Sequence, residues 1–332
     1  MALTQKLIND GNAAVDDMLM GVLAAHPDHL YRASPRAVVA KSGPRPGKVA
    51  LVIGGGSGHE PTFLGFVGKG LADAAAVGNV FASPPPQPIV DAAMAADGGA
   101  GVLFMYGNYA GDVMNFDMAT ELLEMEGITA RTVLTTDDIA SSADRAKRRG
   151  VAGNVFIFKV AGAAADRVLP LDEVERIARH ANARTFTMGV ALSACSLPQT
   201  RRLNFDLPAG EMEIGMGIHG EPGVRRGPLL PAKAVADEMM DTLLAEMAAP
   251  VGARVAVLVN SLGSTPLMEL YILFARASQR LQDAGLIVHK ALVGPYCTSM
   301  EMAGASITLM HLDEELTQML DHPCDCAMFR VG

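Results

Sequence analysis

Short apolar segments alternate with longer amphipathic segments along the first half of this chain. Four runs rich in β-branched residues predict strands that each lead into a loop: KVALVIGG (48–55), GAGVLFMYG (99–107), ARTVLTTDD (130–138) and GNVFIFKVAG (153–162). Stretches with helical spacing predict intervening helices at 88–96, 114–127 and 171–183. This alternation is typical of a doubly wound α/β sheet, in which ligands bind at the carboxyl ends of the strands. Two glycine-rich segments, 54–58 and 107–111, fall at such ends.

A second alternation of strands and helices begins near residue 184. The pattern predicts strands at 184–195, 211–220 and 305–312, a helix at 232–247, and a strand–loop–helix unit over 254–285. In that unit we expect Thr265 to cap the helix, with Pro266 at its first position. The sequence therefore predicts two α/β domains, residues 1–183 and residues 184–332.

Composition narrows the class of protein. Half of the 332 residues are hydrophobic and 19% are charged, which favours a large folded core over disorder. The net charge of −9 and the lack of a basic run argue against nucleic acid or an anionic membrane as partner. The apolar stretches are too short or too interrupted to span a bilayer, and the N-terminus resembles an amphipathic helix rather than a signal peptide. We expect a cytoplasmic protein.

Four cysteines give little sign of metal chemistry. Cys195 and Cys297 lie in apolar surroundings that indicate buried thiols. Cys324 and Cys326 form a Cys-x-Cys pair beside His322, but a metal site would need a fourth ligand and usually has wider spacing. We therefore expect reduced thiols and no metal.

The first segment with possible chemistry is GGGSGHEP (54–61), directly after an apolar strand. It fails the spacing of a P-loop, of a dinucleotide fingerprint and of a hydrolase elbow, since His59 stands where the last two need glycine. Glycines let backbone N–H groups approach a ligand closely. On this segment alone, a ligand loop and a tight strand-to-helix turn both remain open.

Two further segments each leave two interpretations. Asp112 follows a strand in GNYAGD (107–112), where it fits a general base toward a hydroxyl or a cap for a helix starting near Met114. His219 stands between glycines in GMGIHGEPG (215–223). Small neighbours expose its imidazole, which can act as base, metal ligand or nucleophile, or lie solvated in a loop.

Taken together, these segments resemble the dihydroxyacetone kinase K-subunit family. The resemblance rests on motifs found in order over roughly residues 5–315: GGGSGHEP, NYAGD, RRGVAGNVF, EMEIGMGIHGEPG, DEMMDTLL, VNSLGSTPLMELY and GPYCTSMEMAGASITL. The combination of the GGGSGHEP and HGEPG blocks is highly specific to that family.

The resemblance implies a mechanism and a set of site residues. His219 would attack the ketone of a short-chain ketose and hold it as a hemiaminal, which a polyol without a carbonyl cannot form. Asp112 would accept the proton of the terminal hydroxyl that receives phosphate, and His59 would support hemiaminal formation. The loop of Gly56, Ser57 and Gly58 would cradle the sugar hydroxyls.

The resemblance also implies partners. In the family the nucleotide and Mg²⁺ are held by an all-helical L domain or subunit, so ATP or ADP and Mg²⁺ are expected on a partner and no cofactor on this chain. A phosphotransferase-system protein is the other possible phosphate source. Homodimers are expected.

One departure from the family pattern concerns the substrate. Members specific for dihydroxyacetone commonly have lysine where this chain has Gly107, so we expect open space there and either a four-carbon ketose such as erythrulose or weakened catalysis. Three hypotheses follow: a ketose kinase subunit of glycerol metabolism, a non-catalytic ketone-binding regulator, and a dinucleotide oxidoreductase. Asp112 argues against the second, and the failed dinucleotide spacing argues against the third.

Overall fold

Two six-stranded sheets organise the chain. The computed structural model describes residues 3–332. The α-helices in this range are α1 (Ala14–Ala25), α2 (Pro86–Ala96), α3 (Ala110–Met125), α4 (Asn154–Asp166), α5 (Leu171–Ala183), α6 (Ala232–Met247), α7 (Leu267–Asp283) and α8 (Glu314–Asp321). The strands are β1 (Leu30–Ser34), β2 (Ala37–Ala40), β3 (Ala50–Ser57), β4 (Gly68–Lys69), β5 (Ala74–Val80), β6 (Val102–Gly107), β7 (Ala130–Thr135), β8 (Thr185–Ala191), β9 (Glu211–Ile214), β10 (Arg225–Pro228), β11 (Arg254–Ser261), β12 (Ile287–Gly294), β13 (Gly304–Leu312), β14 (Cys324–Cys326) and β15 (Arg330–Val331).

The first sheet has the strand order β1-β2-β5-β3-β6-β7. Strands β5, β3, β6 and β7 run parallel, and β2 and β1 add an antiparallel edge. Helices α2 and α3 bury their apolar sides against one face, and α4 and α5 cover the other. Helices on both faces of a largely parallel sheet confirm the predicted doubly wound α/β architecture.

The second sheet has the order β10-β9-β8-β13-β11-β12 and is mostly antiparallel, with β11 and β12 as its parallel pair. Helices α6 and α7 cover one face. Its other face contributes Ala256, Leu258 and Met310 to the core that also holds α4 and α5. The second unit is therefore also α/β, as predicted.

The C-terminal segment returns to the first unit. Strand β14 pairs with β4, where Asp325 lies opposite Lys69, and β15 extends this small sheet. Helix α8 packs on α4. The predicted division of the chain after residue 183 stays a prediction, and the segment from α8 onward packs on the first unit.

One predicted strand is wrong. Residues 153–162 were expected to extend the strand series, but the chain forms helix α4 there. All twelve residues from Asn154 to Ala165 are buried. A helix that is apolar on every side lacks the 3.6-residue alternation that identifies amphipathic helices, so a short apolar run of this kind resembles a buried strand.

Other local predictions differ from the structure in smaller ways. Helix α7 begins after Pro266, which occupies the cap position, and the Thr265 hydroxyl instead accepts a hydrogen bond of 2.8 Å from the backbone N–H of Gly304. The strand predicted at 211–220 ends at Ile214, and the chain then turns toward the first unit. The sequence pattern does not predict the remaining strands, which are β1, β2, β4, β5, β10, β12, β14 and β15.

Within residues 3–332, no helix is both long and apolar enough to cross a membrane. In the same range, no group of three or more His, Cys, Asp or Glu side chains is arranged to hold a metal ion. All four cysteines are free thiols and buried.

Candidate functional site

A cleft between the two units brings the three predicted reactive side chains together. His59 comes from the loop after β3, Asp112 from the first turn of α3 after β6, and His219 from the loop after β9. Both first-unit residues follow the carboxyl ends of parallel strands, where α/β sheets place ligands. The cleft is lined by Gly54, Gly55, Gly56, His59, Thr62, Phe63, Gly107, Tyr109, Asp112, Gly150, Asn154, Ile218, His219 and Cys297.

The glycine-rich loop carries the first histidine into the cleft. After β3, Gly58 adopts a φ of +103°, in the left-handed region that favours glycine. A Cβ at Gly56 would lie 2.7 Å from the backbone nitrogen of Ala82, so a side chain there would push the two segments apart. Of the three predicted loop residues, Gly56 lines the cleft, whereas Ser57 and Gly58 line a neighbouring pocket. The Ser57 hydroxyl donates to the carbonyl of Gly78 at 2.8 Å.

His59 is buried and held as a neutral ring. Its Nδ1 lies 2.8 Å from the carbonyl oxygen of Thr298, and because a carbonyl only accepts, Nδ1 carries the hydrogen. The ring stacks on Phe81 with a centroid distance of 5.0 Å. Burial, followed by the charge of the neighbouring His219, lowers the pKa of His59 to about 3. Its Nε2 therefore presents a lone pair to the cleft.

His219 is fixed from the opposite side by a carboxylate. Its Nδ1 lies 2.9 Å from Oε1 of Glu221, and its backbone N–H donates to Oε2 of the same residue at 2.9 Å. Asn204 donates to the His219 carbonyl at 2.9 Å. A Cβ at Gly217 would lie 2.2 Å from the Glu221 carboxylate, so the glycine beside the histidine makes room for this arrangement. The Nε2 atom of His219 is left pointing toward His59.

The two histidines meet through their remaining nitrogens, with 3.0 Å between the Nε2 atoms. Because both Nδ1 atoms donate to oxygen acceptors, two neutral rings would place two lone pairs against each other. One proton placed between the two Nε2 atoms would turn this contact into a hydrogen bond, so the geometry suits a pair that passes a proton. The carboxylate of Glu221 lies beside this pair and can balance its positive charge.

A second ion pair supports Glu221. Arg149 lies with one guanidinium nitrogen 3.8 Å from Glu221 Oε2, and its Nε donates to Asp138 at 2.9 Å. Burial alone would raise the pKa of Glu221, but the hydrogen bond and charge of His219 hold it at about 2. Glu221 is consequently ionised whenever the cleft is at neutral pH.

Asp112 faces the histidines from the first unit. Helix α3 begins at Ala110 after Tyr109, so Asp112 lies inside the first turn and is not the cap that one interpretation of the sequence gave it. Its Oδ1 is buried and has no hydrogen-bond partner among the described residues. Burial raises its pKa to about 6, although a hydrogen bond from Ser83 and the charge of His219 oppose the rise. A carboxylate of this kind is suited to accept a proton near neutral pH.

Two polar residues that were not predicted as site residues, Asn154 and Cys297, also line the cleft. Asn154, at the start of α4, is 2% exposed, and its Oδ1 has no hydrogen-bond partner within residues 3–332. With Asp112 it gives the cleft two buried oxygen acceptors without a partner, which suits a ligand with several hydroxyl groups. Cys297 also lines the cleft, but burial raises the pKa of its thiol to about 12, so it is a poor nucleophile.

The expectation of open space beside Gly107 is corrected by the structure. A Cβ at this position would lie 2.8 Å from Cε2 of Tyr109 and 3.0 Å from the carbonyl oxygen of Gly150. The Tyr109 ring fills the space that a longer side chain at position 107 would need.

Several residues of the candidate site could not be identified from the sequence, for different reasons. Glu221 stands two positions after His219 in the predicted motif, and that spacing was the available signal for it. Asn154 was hidden by the wrong strand prediction. Arg149 and Tyr109 lie in loops, and only the three-dimensional structure shows which side chains they contact.

Comparison with known proteins identifies the family. The Dak1 domain model matches residues 20–328, and the chain belongs to the Dak1 domain family. The chain is 50% identical to the "PTS-dependent dihydroxyacetone kinase 2, dihydroxyacetone-binding subunit DhaK" of Listeria innocua serovar 6a, over 98% of this chain and 99% of that protein. It is 45% identical to the "D-erythrulose kinase" of Mycolicibacterium smegmatis, over 98% of this chain but 57% of that protein.

Solved structures show the same fold. The "dihydroxyacetone kinase operon co-activator Dha-DhaQ" superposes with a TM-score of 0.87 at 32% identity, covering 93% of this chain and 96% of that one. The dihydroxyacetone kinase of C. freundii in complex with AMP-PNP and Mg²⁺ gives a TM-score of 0.86 at 34% identity, covering 99% of this chain and 61% of that one. The family and the fold expected from the sequence motifs are thus confirmed.

Proposed function

We propose that this chain is the ketose-binding subunit of a dihydroxyacetone-type kinase and that it holds its substrate covalently on His219. The observation that carries the proposal is the 3.0 Å contact between the Nε2 atoms of His59 and His219, with Asp112 in the same cleft. The names of the relatives from Listeria innocua and Mycolicibacterium smegmatis support a ketose as the substrate class.

Bond formation uses the proton that the histidine pair shares. When that proton moves to His59, the Nε2 lone pair of His219 attacks the ketone carbon, and the carbonyl π electrons move to oxygen. His59 then gives its proton to that oxygen. The product is a hemiaminal on a positively charged imidazole, and Glu221 balances the charge through Nδ1. Because the pKa of His59 is about 3, its protonated form is only transient at neutral pH and gives its proton to the ketone oxygen readily.

Covalent attachment accounts for substrate selection. Glycerol and other polyols have no carbonyl, so they cannot form the adduct however well their hydroxyls fit. A hydrogen-bonding pocket alone discriminates weakly between similar small polyols, whereas bond formation discriminates by functional group.

The second step is transfer of a phosphoryl group to a terminal hydroxyl. Asp112 accepts the hydroxyl proton as phosphate arrives, and the hemiaminal fixes the orientation of the hydroxyl. The phosphoryl donor is a nucleotide with Mg²⁺ on a separate L-type subunit. The C. freundii kinase binds AMP-PNP and Mg²⁺ and is longer than the part that this chain covers, 61% of it, so a nucleotide held outside the shared part is consistent with this proposal. A phosphotransferase-system protein as the original phosphate source is supported by the name of the Listeria relative.

The test combines adduct detection with turnover. Carbon-13 NMR of a ketose labelled at its ketone carbon should show that carbon moving from the carbonyl region to the tetrahedral region on addition of the chain. His219→Ala should abolish the shift, and His26→Ala, a histidine on the surface away from the cleft, should retain it. With L subunits, Mg²⁺ and either ATP or a phosphorylated phosphotransferase-system protein, dihydroxyacetone or erythrulose should be phosphorylated and glycerol should not. An adduct that survives in His219→Ala, or no phosphorylation with any competent L subunit, would contradict the proposal.

The assembly state belongs to the same proposal. We expect a homodimer in solution, which light scattering coupled to size-exclusion chromatography measures directly. A monomeric mass at micromolar concentration would contradict this part and leave the covalent step unaffected.

A ketone-binding regulator is the second candidate function. The specific observation in its favour is the TM-score of 0.87 to a co-activator of a dihydroxyacetone kinase operon. A regulator would form the adduct without supporting phosphorylation, so the two measurements above separate the candidates. Burial raises the pKa of Asp112 to about 6, so its carboxylate is suited to accept a proton near neutral pH, and this favours the kinase subunit.

A further inference from the structure

The wall of the cleft beside Gly107 is formed by an aromatic ring. An added Cβ at Gly107 would lie 2.8 Å and 3.1 Å from the Cε2 and Cδ2 atoms of Tyr109, and 3.0 Å from the Gly150 carbonyl oxygen. The Gly150 carbonyl is backbone and is held in place by its neighbours. Any side chain at position 107 would therefore have to displace the Tyr109 ring.

Two contacts hold Tyr109 in this position. Its hydroxyl donates to the Gly150 carbonyl at 3.2 Å. Its ring meets the His219 ring edge-on, with centroids 4.8 Å apart and an interplanar angle of 86°. Burial keeps the pKa of Tyr109 well above its ordinary value, so the phenol stays neutral and remains a donor. The ring is thus a fixed wall and also a direct neighbour of the proposed nucleophile.

The position of the ring relates it to the length of the substrate. The ketone carbon must lie at His219 Nε2 while a terminal hydroxyl reaches Asp112, and Tyr109 lines the same cleft as both. A four-carbon ketose carries one hydroxymethyl group more, and that group would have to share the cleft with this ring. An aromatic wall in contact with His219 leaves less room for that group than a smaller side chain would.

We propose that Tyr109, seated against Gly107, is a specificity-determining residue that limits the length of the ketose bound at His219. The inference rests on the proposed function, because it needs a ketose at His219. It assigns selectivity to a pair of positions: the absence of a side chain at 107 admits the ring, and the ring restricts the substrate.

The experiment measures adduct formation with two ketoses. Carbon-13 NMR titrations of the full chain give dissociation constants for dihydroxyacetone and for erythrulose, each labelled at the ketone carbon. Tyr109→Ala should shift the ratio of the two constants about tenfold toward erythrulose, the scale expected for one carbon in a closed pocket. Tyr109→Phe keeps the ring and should leave the ratio within about twofold of the wild type.

A glycine substitution tests the other half of the pair. Gly107→Ala should displace the ring and move the ratio in the same direction, and adding Tyr109→Ala to it should give no further change. Gly21→Ala, at a helical glycine with open space around its Cβ position, is the matched control and should behave as wild type. Circular dichroism of each variant confirms that it is folded.

The outcomes separate this inference from the proposed function. If the wild type forms no ketone adduct, both fail. If adducts form in every folded variant but the ratio stays constant in Tyr109→Ala and Gly107→Ala, only the specificity role is overturned. An equal loss of affinity for both ketoses would show that Tyr109 merely orients His219, which also overturns the proposed limit on substrate length.

Discussion

The two sides of the cleft tune their ionisable groups by different physical means. On the first-unit side, burial dominates: it lowers the pKa of His59 to about 3 and raises that of Asp112 to about 6. On the second-unit side, pairing dominates: the imidazole of His219 overcomes the burial of Glu221 and holds its pKa at about 2. Burial favours neutral forms and pairing favours charged ones. The first-unit side, with His59 and Asp112, is therefore suited to exchange protons, and the second-unit side, with Glu221, is suited to stabilise a positive charge.

The largest expected effect is on phosphorylation, and it assigns Asp112 on the first-unit side of the cleft to phosphoryl transfer and His219 on the second-unit side to adduct formation. Asp112→Asn removes the proton acceptor but leaves the histidine pair intact, so phosphorylation should fall by about 10²–10⁴-fold while the NMR-detected adduct forms as in wild type. In the wild type, turnover should rise with pH through about 6, because Asp112 must be ionised to accept a proton. Asp91→Asn on the exposed side of α2 is the control. A variant that loses the adduct as well would show that Asp112 acts in both steps.

His59 should affect the rate of adduct formation more than its existence. His59→Ala removes the group that carries the shared proton to the ketone oxygen. Formation of the adduct should slow by about 100-fold, which NMR exchange spectroscopy or stopped-flow absorbance of the ketone measures. The adduct should still accumulate, because His219 retains its Glu221 anchor. Complete loss of the adduct would mean that the buried histidine also positions the nucleophile.

Glu221 should affect the affinity for the ketone more than the rate. Glu221→Gln retains the shape and an acceptor oxygen but removes the charge that balances the alkylated imidazole. The adduct should weaken by about tenfold, which the same titration measures, since the charged imidazole then donates to a neutral acceptor instead of a carboxylate. Glu124→Gln, on the exposed face of α3, should bind as wild type.

The smallest effects concern stability, and their signs should be opposite on the two sides. The folded-state pKa of Asp112 is about 6, above its ordinary value of 3.8, so its ionised form is disfavoured by folding. Asp112→Asn should stabilise the protein by about 1–2 kcal/mol at about pH 8, and the gain should disappear as the pH falls through 6 toward 4.

For Glu221 the ordinary value is 4.5 and the folded value about 2, so its stabilising contribution is complete above pH 4.5 and lost as the pH falls toward 2. Glu221→Gln should cost about 1–2 kcal/mol at neutral pH, after allowance for the partial exposure of the side chain. Thermal unfolding across the pH range measures both. Shifts of the same sign in the two variants would refute the contrast between burial and pairing.

Two amphipathic helices follow the sequence pattern closely. Helices α5 and α6 begin and end where the amphipathic pattern placed them, at 171–183 and 232–247. Helix α4 was mistaken for a strand because it is buried on every side, so its sequence carries no polar face. The alternation of apolar and polar residues depends on one side of an element being exposed to solvent. It therefore does not identify a helix that is buried on every side.

The candidate site was predicted through motifs rather than through distances. His59, Asp112 and His219 stand in three separate motifs, the family resemblance assigns them to one mechanism, and the structure places all three in one cleft. The roles assigned to them remain proposals. Neither the 160-residue separation of the histidines nor the motifs indicate that their Nε2 atoms meet at 3.0 Å. The filling of the space at Gly107 by Tyr109 likewise depends on a ring orientation that sequence patterns do not encode.

The pairing of β14 with β4 has a consequence for how the two units can move. The chain leaves the first unit, builds the second, and then returns to add strands to the first, so the two units are joined by covalent crossings at both ends of the second one. A hinge motion between the two units would therefore have to bend both crossings, whereas a single linker would leave the second unit free to swing.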